Sequence, residues 1–149
     1  MKHLILFLII IVGFILLQCL NLESFGNLDY KPPIAHIKMS KKIKDRGVFA
    51  LKDYNKGDII EICPCISDNS DKFDGVIQDY LFKYDKKTAL VAFGYCSMYN
   101  HSDKHNALWK VMAKDKLQIY ATKDIKEGEE IFISYGEGYW DSRESATKL

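Results

Sequence analysis

The chain has 149 residues, 48% of them hydrophobic, with 21 Lys+Arg against 20 Asp+Glu and a pI near 7.6. That length supports one modest domain with its own core. The balanced charge carries no polyanion signature and disfavours nucleic acid, so no direct nucleic-acid partner is expected, and the run Lys41, Lys42, Lys44, Arg46 reads as a solvated rim.

In chain order, residues 4 to 17 (LILFLIIIVGFILL) contain no polar side chain. With Gln18 to Leu20 they reach the short end of what a bilayer-crossing helix needs, about 17 to 25 residues. We expect residues 1–20 to be a hydrophobic signal-anchor helix, with cleavage as the alternative. The lysines on both sides leave orientation open. Residues 21–35, with Pro32 and Pro33, read as a linker. Beyond it the pattern predicts short strands at Ile34 to Met39, Gly47 to Leu51, Ile59 to Ile66, Ala89 to Phe93, Ala107 to Val111, Leu117 to Thr122 and Glu130 to Tyr135. Helix is expected only at Asp74 to Tyr84 and in the last ten residues. The result is a mostly β domain of small sheets.

Two stretches 71 positions apart echo one another: FALKDYNKGDII (Phe49 to Ile60) and YATKDIKEGEEI (Tyr120 to Ile131), identical at five of twelve positions. Each reads strand, turn, strand, with Gly57 and Gly128 supplying the turn's positive φ. Four cysteines are too few and too irregular for a disulfide framework, and Cys63, Cys65 and Cys96 read as small apolar fillers. His101 and His105 are four apart with Cys96 nearby, but three or four convergent ligands are not in sight, so no metal is expected. Between two apolar runs lies YNHSDKHN, Tyr99 to Asn106, dense in hydrogen-bonding groups where core would be expected. In EIFISYG, alternation puts Ile131, Ile133 and Tyr135 on one face, and Gly136 lets the backbone turn after the tyrosine.

RGVFA (Arg46 to Ala50), DYLF (Asp79 to Phe82), NHSDKHNA (Asn100 to Ala107) and KEGEEIFISYG (Lys126 to Gly136) occur in the order and spacing of the SET domain of protein lysine methyltransferases. The chain resembles that family over roughly Ile37 to Trp140, and it looks closest to the minimal forms found in viruses. The resemblance implies a SET domain over residues 36–142, with a short tail at 143–149. It implies small curled β-sheets and a C-terminal pseudoknot in which the ISYG segment passes through a loop of preceding chain.

The implied activity is protein-lysine N-methylation with S-adenosylmethionine (SAM) as donor. The resemblance assigns SAM contacts to Lys44, Asp45, Arg46, Gly47, Asn100, His101, Tyr135 and Trp140. It makes Tyr135 catalytic and lines the target-lysine channel with Tyr80, Ile133 and Tyr139. Ile133 stands where the family often carries a Tyr or Phe that limits methylation state, so progress beyond mono-methylation is expected. The implied partner is a protein bearing the target lysine, a histone tail or a non-histone protein. The minimal relatives imply a homodimer. Since SAM is chiefly cytosolic, the expected location is a single-pass membrane anchor with the catalytic domain on the cytosolic side.

Two departures matter. Asp45 replaces the first glycine of the family's G-x-G, and no cysteine cluster follows SYG to hold a zinc-bound lid, so Tyr139 and Trp140 are the candidate substitute. These departures keep a second reading open, a degenerate SET-like module that binds protein without turnover.

Overall fold

The computed structural model describes residues 30–140, and those from Lys31 onward belong to one compact unit. Nine strands are described. β1 (Ala35–Met39) and β2 (Arg46–Ala50) form an antiparallel pair. A five-stranded antiparallel sheet runs in the order β4 (Leu81–Lys83), β5 (Thr88–Ala92), β3 (Ile59–Asn69), β8 (Lys116–Ala121), β7 (Ala107–Ala113). The third sheet is small and parallel: β6 (Asn100–His101) pairs with β9 (Phe132–Ile133), setting Asn100 opposite Phe132 and His101 opposite Ile133.

The core follows the apolar pattern. Val48, Ala50, Ile60, Leu90, Leu117, Ile119, Ile125, Ile131 and Ile133 are all fully or almost fully buried. In β8 the alternation of buried and half-buried positions shows one face against this core. Around Ile131 to Ile133 both faces are covered, so three consecutive residues are buried and the expected alternation is lost.

The echoing hairpins pack on each other through a local two-fold. Tyr54 and Ile125, equivalent in the repeat, exchange both main-chain hydrogen bonds at 2.8 Å. Gly57 N–H donates to the Ala121 carbonyl at 2.9 Å and Gly128 N–H to Ala50 at 2.8 Å; Ala50 N–H donates to Glu129 and Ala121 N–H to Asp58, both at 2.9 Å. Side chains repeat the symmetry: Asp124 Oδ1 accepts from Lys56 N–H and Asp53 Oδ1 from Glu127 N–H, each at 2.9 Å. Every one of these bonds maps onto its mate by the same shift of 71 positions.

Several expectations are corrected. The stretch at Asp74 to Tyr84 is a 3-10 turn, Gly75–Tyr80, followed by strand β4, and Val76 and Ile77 are exposed, so it has no buried helical face. The expected strand at Glu130 to Tyr135 is regular over only two residues. Cys63 and Cys96 are joined as a disulfide, with Cα atoms 6.4 Å apart, and Cys65 alone of the three remains a buried thiol. The anchor helix expected over residues 1–20 and the tail at 143–149 lie outside the described residues. Among the described residues no helix is long and apolar enough to cross a membrane, and this overturns the single-pass, membrane-anchored location.

Candidate active site

The loop before β2 folds on itself. Ser40 N–H donates to the Asp45 carbonyl at 2.7 Å and Lys44 N–H returns to Ser40 at 2.9 Å. The positive φ falls on Lys44, at 58°, and not on Asp45, where the family's glycine would stand. Asp45 instead turns its carboxylate onto Arg46 N–H at 2.6 Å. The main-chain groups expected to meet SAM from Asp45 and Arg46 are therefore largely engaged within the protein. Gly47 is required by close approach: a Cβ there would overlap the Glu130 carboxylate and press on the Asn100 amide.

Asn100 is fixed by two donated bonds, 2.7 Å to the Arg46 carbonyl and 3.0 Å to Glu130 Oε1. Glu130 Oε2 accepts from Ser40 Oγ at 2.6 Å, across 90 positions of sequence. Loop, β6 and the chain entering β9 are thus tied by one carboxylate. Asn106 grips the same chain: its amide donates to the Glu130 carbonyl at 2.9 Å and its oxygen accepts from Phe132 N–H at 2.8 Å. Trp109 Nε1–H adds a bond to the Ser134 carbonyl at 2.8 Å.

These ties carry the chain to Tyr135. Its main-chain N–H donates to His101 Nδ1 at 3.1 Å, and its hydroxyl donates to the Tyr99 carbonyl at 2.9 Å. In the neutral imidazole, accepting at Nδ1 leaves the proton on Nε2, which faces Asp103 Oδ1 at 3.2 Å. Burial, reinforced by the neighbouring phenols of Tyr139 and Tyr80, pushes the Tyr135 hydroxyl up to about 12. At neutral pH it is a phenol, able to donate one hydrogen bond and accept others.

Tyr135 lies in an aromatic cluster, edge-on to Tyr139 with centroids 4.6 Å apart and stacked near Trp140 at 6.2 Å. A cavity of about 740 Å³ opens beside it. Arg46, Tyr80, Asn100, Ile133, Tyr135 and Tyr139 all line this cavity. Arg46 crosses the wall, its guanidinium donating to Tyr80 Oη at 3.0 Å and to Met98 Sδ at 3.3 Å. Of the remaining sequence candidates, Lys44, Asp45 and Gly47 shape the loop behind the wall, His101 holds the backbone of Tyr135, and Trp140 packs behind the tyrosine, with its ring 5.1 Å from His101.

Sequence reasoning missed Ser40, Asn106, Trp109 and Glu130. Glu130 had a signal, since period two puts it on one face with Phe132 and Ser134; Ser40 had none. Among the described residues the clustered metal-ligand types are Glu61, Cys63 and Cys96, but both sulfurs are in the disulfide and the carboxylate is already hydrogen-bonded.

The residues present fit a small cofactor with an aromatic and a cationic portion. The cavity volume falls in the range of small-molecule sites, about 300–1,000 Å³. Aromatic faces beside it suit a sulfonium. Among the described residues the buried Trp140 indole N–H has no hydrogen-bond partner.

Comparison with known proteins gives concordant results. The SET domain family profile matches residues 45–136. The chain is 31% identical over 114 residues to the H3 lysine-37 specific histone-lysine N-methyltransferase of Schizosaccharomyces pombe, covering 71% of this chain and 78% of that protein. It is 30% identical over 130 residues to the H3 lysine-4 specific histone-lysine N-methyltransferase of the same organism, covering 77% of this chain but 14% of that protein. A crystal structure of a proposed histone methyltransferase from Plasmodium falciparum superposes with a TM-score of 0.65 at 33% identity, covering 74% of this chain and 99% of that one. The likeness to viral forms, the membrane and the homodimer find no support among these relatives.

Proposed function

The chain belongs to the SET-domain family, and on that premise we propose that it is a protein-lysine N-methyltransferase, moving a methyl group from SAM to the ε-amine of a lysine on a protein substrate of histone type. The observation that carries this reading is the convergence of Asn100 and Tyr135, thirty-five positions apart in the sequence, on one cavity wall. A threaded crossing of the ISYG segment belongs to the same proposal, and the parallel β6–β9 pairing supports it.

SAM, when bound, supplies an electrophilic methyl group on a positively charged sulfur. Asn100, Arg46 and Tyr135, which line the cavity, are the residues proposed to hold it, with Trp140 packed behind Tyr135. Asn100 spends its amide hydrogens on Arg46 and Glu130, which leaves its amide oxygen to accept from a ligand. Lys44, Asp45, Gly47 and His101 act by fixing the loop and the Tyr135 backbone.

The target lysine must lose its proton to attack. A free lysine, pKa about 10.4, is less than about one part in a thousand neutral at pH 7. A channel lined by Tyr80, Ile133 and Tyr139 lowers that value by desolvation, and a nearby positive charge lowers it further. Tyr135 is no general base, because burial keeps its proton on. With its hydrogen committed to the Tyr99 carbonyl, its oxygen presents lone pairs that orient the amine's N–H groups and the transferring methyl. Such positioning supplies several of the roughly 7–11 kcal/mol that well-oriented reactants gain. Tyr139 and Trp140 exclude water in place of a zinc-bound lid.

The test is incorporation of labelled methyl from SAM into histones and, in parallel, whole-cell lysate by the full chain. We expect transfer that Tyr135→Phe lowers by about 100-fold or more. Equal transfer by the variant, or none by the wild type with either acceptor, contradicts the reading. No observation favours the non-catalytic module, since Lys44 takes the positive φ and Asp45 is not forced into it.

A further inference from the structure

Glu61, on β3, is fully buried and makes no ion pair among the described residues. A carboxylate so placed is costly unless its oxygens are used. Both are. Oε1 accepts from Tyr95 N–H at 2.9 Å and Oε2 from the Tyr99 hydroxyl at 2.9 Å. These donors flank the 3-10 turn Cys96–Met98, whose residues form the cavity wall, and the Cys63–Cys96 disulfide ties the turn to β3 between them. Tyr99 then carries the connection outward: its ring ends on Glu61, and its carbonyl receives the Tyr135 hydroxyl.

We infer that Glu61 is a positioning residue of the methyl-transfer site, an inference that rests on the function proposed above: its carboxylate anchors the Tyr95–Tyr99 turn from behind and so sets where the Tyr99 carbonyl holds the Tyr135 hydroxyl. An acceptor-only group is what two converging donors require. A protonated carboxyl must place its own hydrogen somewhere, and the Tyr99 hydroxyl has to turn to receive it.

Burial raises the Glu61 carboxyl to about 7, against the lowering effect of the Tyr95 and Tyr99 bonds. The groups around it do not offset that. They are the phenols of Tyr54 and Tyr99, whose own values burial raises, and the disulfide sulfurs. β8 sets Ile119 opposite, with Lys116 and Tyr120 toward the strand's ends; on the other edge Lys31 bridges Ile62 and its ammonium donates to the Ile59 carbonyl, and β5, which pairs with β3 only from Cys65 onward, carries no ionisable side chain. The anchor therefore changes protonation near neutral pH, and Tyr135 responds through Tyr99.

The experiment uses the full chain with ¹³C-labelled tyrosine rings, followed by NMR across pH about 5 to 9, the Tyr135 signal being the one lost in Tyr135→Phe. Steady-state methyl transfer is measured on the same samples. In the wild type the Tyr135 signal shifts with a midpoint of about 7, and in Glu61→Gln it stays still. The same variant loses about tenfold in kcat with KM for SAM changed less than about twofold, and its kcat profile lacks the inflection near 7. A Tyr135 signal that does not move, or moves equally in Glu61→Gln, overturns the inference even where methyl transfer is robust. A signal coupled to Glu61 in a protein that methylates nothing sustains the coupling and defeats the proposed function instead. If Glu61→Gln does not fold, labelled glutamate in the wild type decides: the Glu61 carboxyl and the Tyr135 ring must share one midpoint, and separate midpoints overturn the inference.

Discussion

Single side chains at this site act in pairs, one facing the cavity and one behind it. Ile133 faces the cavity at 1% exposure with no polar atom to hold a water. A tyrosine there would add bulk and a hydroxyl, so Ile133→Tyr should confine the product to mono-methyl lysine while the wild type proceeds further; mass spectrometry of a methylated histone peptide reads both. Glu61 is behind the wall and affects stability as well as geometry. Its carboxyl rises from 4.5 to about 7 on folding, so between those values the native chain holds a proton that the unfolded chain has released. The stability this provides is complete below about 4.5 and is lost as pH climbs through 7. Urea denaturation at a series of pH values should show that decline in the wild type, and Glu61→Gln should be flatter by that one group.

Short elements with long-range partners are where sequence reading reached its limit. Strands β1, β2, β3, β5, β7 and β8 carry apolar patterns long enough to recognise, and the structure has them with ends shifted by a few residues. β6 and β9 are two residues each, too short for any period, and their pairing joins positions 32 apart. Only the resemblance brought those motifs together. The stretch at Asp74 to Tyr84 misled because its apolar residues suit helical spacing, yet Val76 and Ile77 face solvent while Leu81 and Phe82 join the sheet. The Cys63–Cys96 pair was hidden by a separation of 33 and by the distraction of Cys65. The element that holds β9 in place is the side chain of Asn106, which acts as an extra strand by bonding both Glu130 and Phe132. Asn106→Ala removes the partners of the part-buried Phe132 N–H and Glu130 carbonyl, and should cost about 1–3 kcal/mol for the two bonds together. Because that strand delivers Tyr135, it should also lower methyl transfer more than it lowers folded fraction; denaturation and activity measured on one sample check this.

Across the whole molecule, the two related hairpins form a clasp beside the site. The first ends in β3, which carries Glu61, and the second runs into β9, which leads to Tyr135. The main-chain hydrogen bonds that join the hairpins are matched pair by pair, while the Lys126–Asp53 ion pair has no mate because position 55 is Asn. Of the five identities visible in the sequence, Asp53/Asp124 and Gly57/Gly128 serve the turn and its main-chain bonds, and Ile60/Ile131 are buried in the core. The symmetry makes a quantitative statement. Gly57 and Gly128 have φ of 94° and 85°, and a Cβ at either meets nothing within 4 Å. Gly57→Ala and Gly128→Ala should therefore each cost about 1–2 kcal/mol from backbone strain alone, and equally. Unequal losses by thermal denaturation would show that the two turns bear different loads.

The claim beneath all of this is that the Asn100 bend and the Tyr135 strand end form one SAM site. Calorimetric titration of SAM into the full chain tests it most directly, with Asn100→Ala and Tyr135→Phe run alongside. The account predicts saturable one-to-one binding, weakened about tenfold or more by Asn100→Ala, while Tyr135→Phe, which keeps its ring in the cluster, binds within a few-fold of wild type and fails in transfer. No heat of binding at millimolar SAM, or equal affinity in Asn100→Ala, would contradict it.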